Sequence, residues 1–364
     1  MTKPKIAFVI GSLRSGGAER VITTLANALI SEMDVCIVTF KDVVPFYELH
    51  PEVKVISYAR DYPKPKHLLQ SISLNLKLLR FLTHTFRSEN IQLAIGFITM
   101  SNILTTLAAK QAGIPSVISE RNNPKFESTA TFWKFLRKFV YKKASILVVQ
   151  TEAVKDVYKP LINIQKIKVI PNPVSETLSQ QRIENQERKS IILNVGRLTW
   201  QKNQKMLIRA FSNIAPKDWK LVIVGKGKLE ATLKSEISKS EVSDMIELKS
   251  PSSSIHELYN QASIFAFPSR FEGFPNALLE ALHFGIPSIS TDCPYGPSEL
   301  IENEKNGFLI ASENQGELEE KLKLLIENAE LRNSMANQAK LGTEPFREPL
   351  VLKQWKQVFE QLIH

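Results

Sequence analysis

The chain has only two cysteines in 364 residues, Cys36 and Cys293. They lie far apart with no metal-ligand spacing, which excludes a disulfide framework and suits a reducing compartment. Cys36 falls in an apolar run and reads as a small core residue. No apolar run reaches the roughly 18 residues that a membrane-spanning helix needs. The opening, MTKPKIAFVIGSL, is apolar only briefly and enters a Gly-rich turn. It reads as a first buried strand rather than a signal peptide. A full G-x-G-x-x-G is missing, which leaves a nicotinamide cofactor without support. No aspartate pair with D-x-D spacing stands in a loop context, so no bound divalent metal is expected. None of the six histidines lies in a catalytic motif, and His283 reads as structural.

The charge balance, in contrast, is strongly one-sided. Forty-seven Lys and Arg against 37 Asp and Glu give a formal net charge of +10. That points to anionic partners: nucleic acid, a membrane surface or phosphorylated substrates. There is no zinc-finger spacing, RNA-binding aromatic pattern or basic tail, so no nucleic-acid partner is expected.

The length suits two domains of about 170 residues each. In the first half, KIAFVI, DVCIVTF, VKVISY, QLAIGF, PSVIS, SILVVQ and KVIPN are short β-branched runs. Helix-length segments separate them, at Ala18–Ser31, Leu68–Arg87, Asn102–Ala112 and Phe132–Lys143. The second half restarts the alternation at SIILNVGRL and continues to GFLIA. Strands alternating with helices imply βαβ units and a doubly wound parallel sheet in each half. The expected N-terminal domain is 1–174 and the C-terminal one 190–345. Ser175–Lys189 is polar, lacks apolar periodicity and reads as a linker. Two such domains put a ligand in the cleft between them, at the carboxyl ends of the strands.

The string FEGFPNALLEALHFGIPSISTD, Phe271 to Asp292, carries the most chemistry. Gly273 and Pro275 fit a tight loop. Ala277, Leu278, Ala281 and Leu282 form an apolar helical stripe, with Glu280 about one turn inside and Glu272 in the loop before it. A helix start offers free N–H groups to an anion. Two carboxylates beside such a site suit neutral hydroxyls. Taken singly, either glutamate is as well explained as a solvated or capping group.

Three further strings sit at strand ends. NVGRLTWQKN puts Arg197 and Lys202 where they can neutralise a diphosphate, the first through a planar fork and the second as a point charge. GSLRSGGAER puts Gly16 and Gly17 at a helix start, where backbone can approach a phosphate or a sugar. VGKGK places Gly225 and Gly227 in a loop beside the same region.

As a set, GGAER, VGRL…QKN and FEGFPNALLEA resemble the retaining glycosyltransferases of family 4. The seven-residue spacing of Glu272 and Glu280 is similar to that family's E-x7-E signature. The resemblance implies a GT-B fold, two Rossmann-like domains facing a central cleft, with the last segment, 346–364, crossing back to the N-terminal domain. It implies Glu272 facing the donor sugar, Glu280 holding the ribose, and Arg197 with Lys202 clamping the diphosphate. Donor contacts then include Gly16, Gly17, Gly273, Phe274, Asn276 and Ala277, with Glu272, Arg197 and Lys202 as catalytic candidates. The implied donor is a nucleoside diphosphate sugar, UDP-linked, with no other cofactor. The implied acceptor is a lipid-linked saccharide in bacterial surface-glycan assembly. The alternatives are a non-catalytic nucleotide-sugar-binding subunit or a UDP-sugar epimerase of the same fold.

Two departures from that pattern stand out. Lys249 and Ser250 replace the leucine-glycine pair that is customary beside the base. Glu120, Arg121 and Asn122 stand where relatives carry a histidine, and Glu120 and Arg121 are candidates for acceptor or sugar contact. Finally, FWKFLRKFVYKK mixes aromatics at helical spacing with lysines, and 64–87 adds more positive charge. Such a helix either packs on the core or lies on an anionic bilayer. The second reading places the protein in the cytoplasm, peripheral on the inner face of the membrane.

Overall fold

The computed structural model describes residues 3–14, 16–60, 67–121, 131–252 and 254–363. Asn122 and residues 64–66 lie outside them. The chain divides into unit 1, Met1–Pro173 with Pro349–His364, and unit 2, Val174–Glu348.

Unit 1 opens with β1 (Lys5–Ile10), α1 (Gly17–Leu29), β2 (Asp34–Lys41) and β3 (Lys54–Ala59). It continues with α2 (Leu68–Ser88), β4 (Leu93–Phe97), α3 (Thr99–Ala112) and β5 (Ser116–Ser119). Then come α4 (Thr131–Val140), β6 (Ile146–Val149), α5 (Glu152–Tyr158) and β7 (Ile167–Val169). The seven strands form one parallel sheet in the order β3-β2-β1-β4-β5-β6-β7. Short β-branched runs buried on both faces favour this parallel packing.

Unit 2 contains α6 (Glu176–Gln180), β8 (Lys189–Val195), α7 (Gln204–Ile214), β9 (Lys220–Val224) and α8 (Glu230–Ile237). Next are β10 (Ile246–Lys249), α9 (Ile255–Gln261), β11 (Ala262–Phe267), α10 (Asn276–His283) and β12 (Ser288–Thr291). It closes with α11 (Pro297–Leu300), β13 (Gly307–Ile310), α12 (Gln315–Glu327) and α13 (Ala329–Gly342). Its six strands are parallel, in the order β10-β9-β8-β11-β12-β13. The last helix, α14 (Glu348–Glu360), gives Val351, Trp355, Val358 and Phe359 to the core of unit 1. There Trp355 stacks on Phe97, with ring centroids 6.0 Å apart.

In each sheet the strand order reverses once, beside β1 in unit 1 and beside β8 in unit 2. Such a switch point leaves a crevice outside the carboxyl ends of the two central strands, where open α/β sheets bind ligands. In unit 2 those strands are β8 and β11, paired with Ile264 opposite Ile192.

The segment 175–189 is no linker. Ser175 caps α6 by accepting from the Leu178 N–H at 3.3 Å, and Leu178 is buried in the unit 2 core. Arg182 donates to the His283 carbonyl at 2.9 Å, and Arg188 donates to the carbonyls of Tyr259 and Ala262 at 3.1 and 2.6 Å. Cations satisfying buried helix and strand ends, rather than an apolar stripe, hold this segment down.

Candidate active site in unit 2

Strand β8 delivers the first cluster. Leu198 is fully buried and donates to the Lys226 carbonyl at 3.1 Å, which draws the loop after β9 against the loop after β8. Gly227 permits that approach, because a Cβ there would run into the Leu198 backbone. Between them, the Arg197 side chain is left exposed. The chain then makes a tight turn, Trp200–Lys202. Asn203 ends it in the left-handed region, φ 51°, which asparagine tolerates better than most residues. Gln204 Nε2 donates to the Arg197 carbonyl at 3.1 Å and pins the turn.

Strand β11 delivers the second cluster from the other side of the switch point. It ends at Phe267, and the loop to α10 carries Glu272, 5% exposed. The two loops are fastened together. Lys202 Nζ lies 2.6 Å from Glu272 Oε1 and 4.6 Å from the centre of the Phe267 ring. Gln201 Nε2 donates to the Phe271 carbonyl at 2.8 Å and approaches Glu272 Oε2 at 3.5 Å. Arg197 Nη2 approaches Gln201 Oε1 at 3.5 Å. The Arg270 N–H donates to the Gln201 carbonyl at 2.8 Å. Arg197, Lys202 and Glu272 therefore share one constellation, with Gln201 between the cation and the carboxylate.

Glu280 lies on the second turn of α10, 6% exposed, and accepts the Tyr259 hydroxyl proton at 2.9 Å. The loop before it holds Gly273 half-buried and Phe274 buried, and α10 opens with Asn276 and Ala277 half-buried. Gly296, at φ 119°, is needed because its turn packs on the Pro275 ring where a Cβ would clash. Cys293 is a buried neighbour of this region. Burial first, and the Glu272 charge second, push its thiol up to about 12, so it stays protonated. Among the described residues no group of three His, Cys, Asp or Glu side chains is placed to hold a metal ion.

In unit 1, Gly17 opens α1, and the Glu19 side chain lies where a Cβ on Gly16 would be. Glu120 lies at the end of β5. It is 1% exposed and spends its carboxylate internally, on the Thr99 hydroxyl at 3.2 Å, the Asn102 amide at 3.1 Å and the Tyr141 hydroxyl. These partners satisfy a carboxylate taken out of water. Arg121 is 8% exposed, donates to Asn172 Oδ1 at 2.5 Å, and stacks on Phe97 and Trp355. Burial pulls its pKa down to about 9. Its visible role is to tie the end of β5 to α14.

Sequence reasoning missed Gln201, Tyr259 and the Phe267 face. Gln201 sits inside the quoted NVGRLTWQKN string, so the signal was present. Tyr259 lies 21 residues before Glu280 on another helix, and no local pattern joins them.

Comparison with known proteins gives the family. Residues 175–342 match the family model for glycosyl transferases group 1, and residues 15–178 match that for glycosyltransferase family 4. A UDP-Gal:alpha-D-GlcNAc-diphosphoundecaprenol alpha-1,3-galactosyltransferase of Escherichia coli is 30% identical over 271 residues, 67% of this chain and 69% of the relative. The chain belongs to the family 4 glycosyltransferases. A Campylobacter jejuni alpha-1,4-N-acetyl-D-galactosaminyltransferase, named for an undecaprenol-diphosphate-linked acceptor, is 28% identical over 361 residues, 98% of this chain and 99% of the relative. The Anabaena protein HepE, solved with UDP, superposes with TM-score 0.79 at 18% identity, covering 98% of this chain and 100% of HepE. This glycosyltransferase thus has the GT-B type of fold, two parallel-sheet Rossmann-like domains.

Proposed function

We propose that this glycosyltransferase moves a hexosyl or N-acetylhexosaminyl group from a UDP-linked donor to a lipid-linked saccharide, with retention of anomeric configuration. The setting is bacterial polysaccharide biosynthesis. The observation that carries the reading is the meeting of Arg197, Gln201, Lys202 and Glu272 at the switch point of unit 2. UDP in HepE, the UDP-galactose donor of the E. coli relative, and the lipid-diphosphate acceptor named for the C. jejuni relative support it.

The chemistry asked of these residues is electrostatic. Negative charge grows on the diphosphate as the bond from the anomeric carbon to the phosphate oxygen breaks. Arg197 and Lys202 stabilise that charge. Glu272 holds donor-sugar hydroxyls and faces the cationic character that develops on the ring. Glu280, oriented by Tyr259, binds the ribose hydroxyls. The acceptor hydroxyl attacks from the side the diphosphate leaves, and its proton passes to a donor phosphate oxygen. No protein nucleophile, bound metal or further cofactor is assigned.

The membrane reading rests on α4. Phe132, Phe135 and Phe139 are 48%, 59% and 55% exposed, and Lys138, Lys142 and Lys143 are exposed beside them. Exposed aromatics next to lysines suit a peripheral position on an anionic bilayer. We place the protein in the cytoplasm, on the inner face of the cell membrane. Among the described residues no helix is long and apolar enough to cross it.

The test is transfer of label from UDP-sugars to polyprenyl-diphosphate glycans, with the anomeric configuration of the product read by NMR. An α-linked product from an α-linked donor supports the reading. An inverted product, or epimerised donor with no transfer, sinks it.

A further inference from the structure

Trp200 stands 63% exposed in the turn between Arg197 and Lys202. A large aromatic ring in water is usually free to move. This one is held. The Arg270 guanidinium carbon lies 4.6 Å from the centre of the indole. Arg270 is itself fixed from three directions. Its Nη1 donates to the Trp200 carbonyl, its Nη2 donates to Glu313 Oε2 at 3.1 Å, and its backbone N–H donates to the Gln201 carbonyl at 2.8 Å. Phe271 flanks the indole, with ring centroids 6.3 Å apart and planes tilted by 48°.

The guanidinium lies over the π-face and attracts it electrostatically. The result is a pre-ordered apolar platform, which costs a ligand little side-chain entropy to use. Its neighbours in the chain, Gln201 and Lys202, are tied to Glu272. A sugar ring fits such a place: one face of weakly positive C–H groups for the electron-rich indole, and a rim of hydroxyls for polar neighbours. Exposure separates Trp200 from the two glutamates: Glu272 and Glu280 are 5% and 6% exposed, whereas Trp200 is 63% exposed.

We propose that Trp200 is the platform on which the terminal sugar of the acceptor stacks, a neutral hexose or N-acetylhexosamine ring. The inference rests on the transferase reading of Lys202 and Glu272, but its test does not need turnover. Full-length protein with UDP is mixed with the methyl glycoside of an α-linked N-acetylhexosamine disaccharide, and saturation-transfer NMR reads protein-to-sugar contact. Trp200→Ala is expected to lose at least about fivefold of the saturation, Trp200→Phe to keep most of it, and both to hold UDP within about twofold of wild type. Undiminished saturation in Trp200→Ala overturns the platform, as does a wild type with no saturation at all. Loss of UDP affinity with an intact disaccharide signal also overturns it, since the ring would then serve the nucleotide. A wild type that binds the disaccharide through Trp200, yet moves no label from UDP-sugars to polyprenyl-diphosphate glycans in the separate transfer assay, supports the platform and removes the transferase reading.

Discussion

The Lys202 ammonium and the Glu272 carboxylate meet at 2.6 Å, with their side chains 13% and 6% exposed. At this contact the two charges neutralise each other. Removing Lys202 leaves the buried Glu272 carboxylate without its cation, which costs about 3–5 kcal/mol. Lys202→Met is therefore expected to lower the urea midpoint by that equivalent, and adding Glu272→Gln to recover much of it. Equal midpoints for wild type and Lys202→Met would contradict the pairing.

Arg197 is exposed, and its guanidinium approaches Gln201 Oε1 at 3.5 Å. It adds little to stability and, in the proposed mechanism, much to the transition state. Arg197→Ala is expected to unfold within about 0.5 kcal/mol of wild type. Its kcat should fall roughly 100-fold or more. Steady-state kinetics beside a denaturation curve checks both halves.

Tyr259 is fully buried and orients Glu280 through one hydrogen bond at 2.9 Å. Tyr259→Phe removes that bond with little change of shape. A hydrogen bond to a charged group contributes about 1.5–3 kcal/mol, so UDP affinity should drop about tenfold or more. The UDP-induced rise in melting temperature should shrink accordingly. An unchanged rise would mean that Glu280 does not hold the nucleotide.

His283 is 3% exposed, and burial first, then Arg182 and Arg347, lower its pKa from 6.5 to about 4. As pH falls, the unfolded chain takes up the proton before the folded one does. The neutral imidazole thus contributes stability above pH 6.5 that is lost as pH falls toward 4. The full loss is roughly 3 kcal/mol. His283→Gln should flatten the fall in urea midpoint across that window. A variant as acid-sensitive as wild type would refute the assignment.

Much of this molecule was legible in its sequence, because parallel strands buried on both faces advertise themselves as short β-branched runs. The helix carrying Glu280 was readable from Leu278, Ala281 and Leu282, and α10 runs from Asn276 to His283. What local pattern hides is long-range hydrogen bonding. Arg182 and Arg188 fold 175–189 onto unit 2 through carbonyls about 70 to 100 residues away, so a polar string reads falsely as a linker. The partners of Glu120, Thr99 and Tyr141, are likewise 21 residues away on either side and leave no local signal. Charged residues near strand ends suggest chemistry, and burial alone does not sort them, since Glu120 is 1% exposed and Glu272 5%.

Calorimetric titration of UDP into wild type, Arg197→Ala and Glu280→Ala tests the central claim most directly. The account predicts saturable binding to wild type and a loss of about tenfold or more in each variant, with the fold intact by circular dichroism. Identical affinities in all three proteins, or a wild type that ignores UDP, would contradict it.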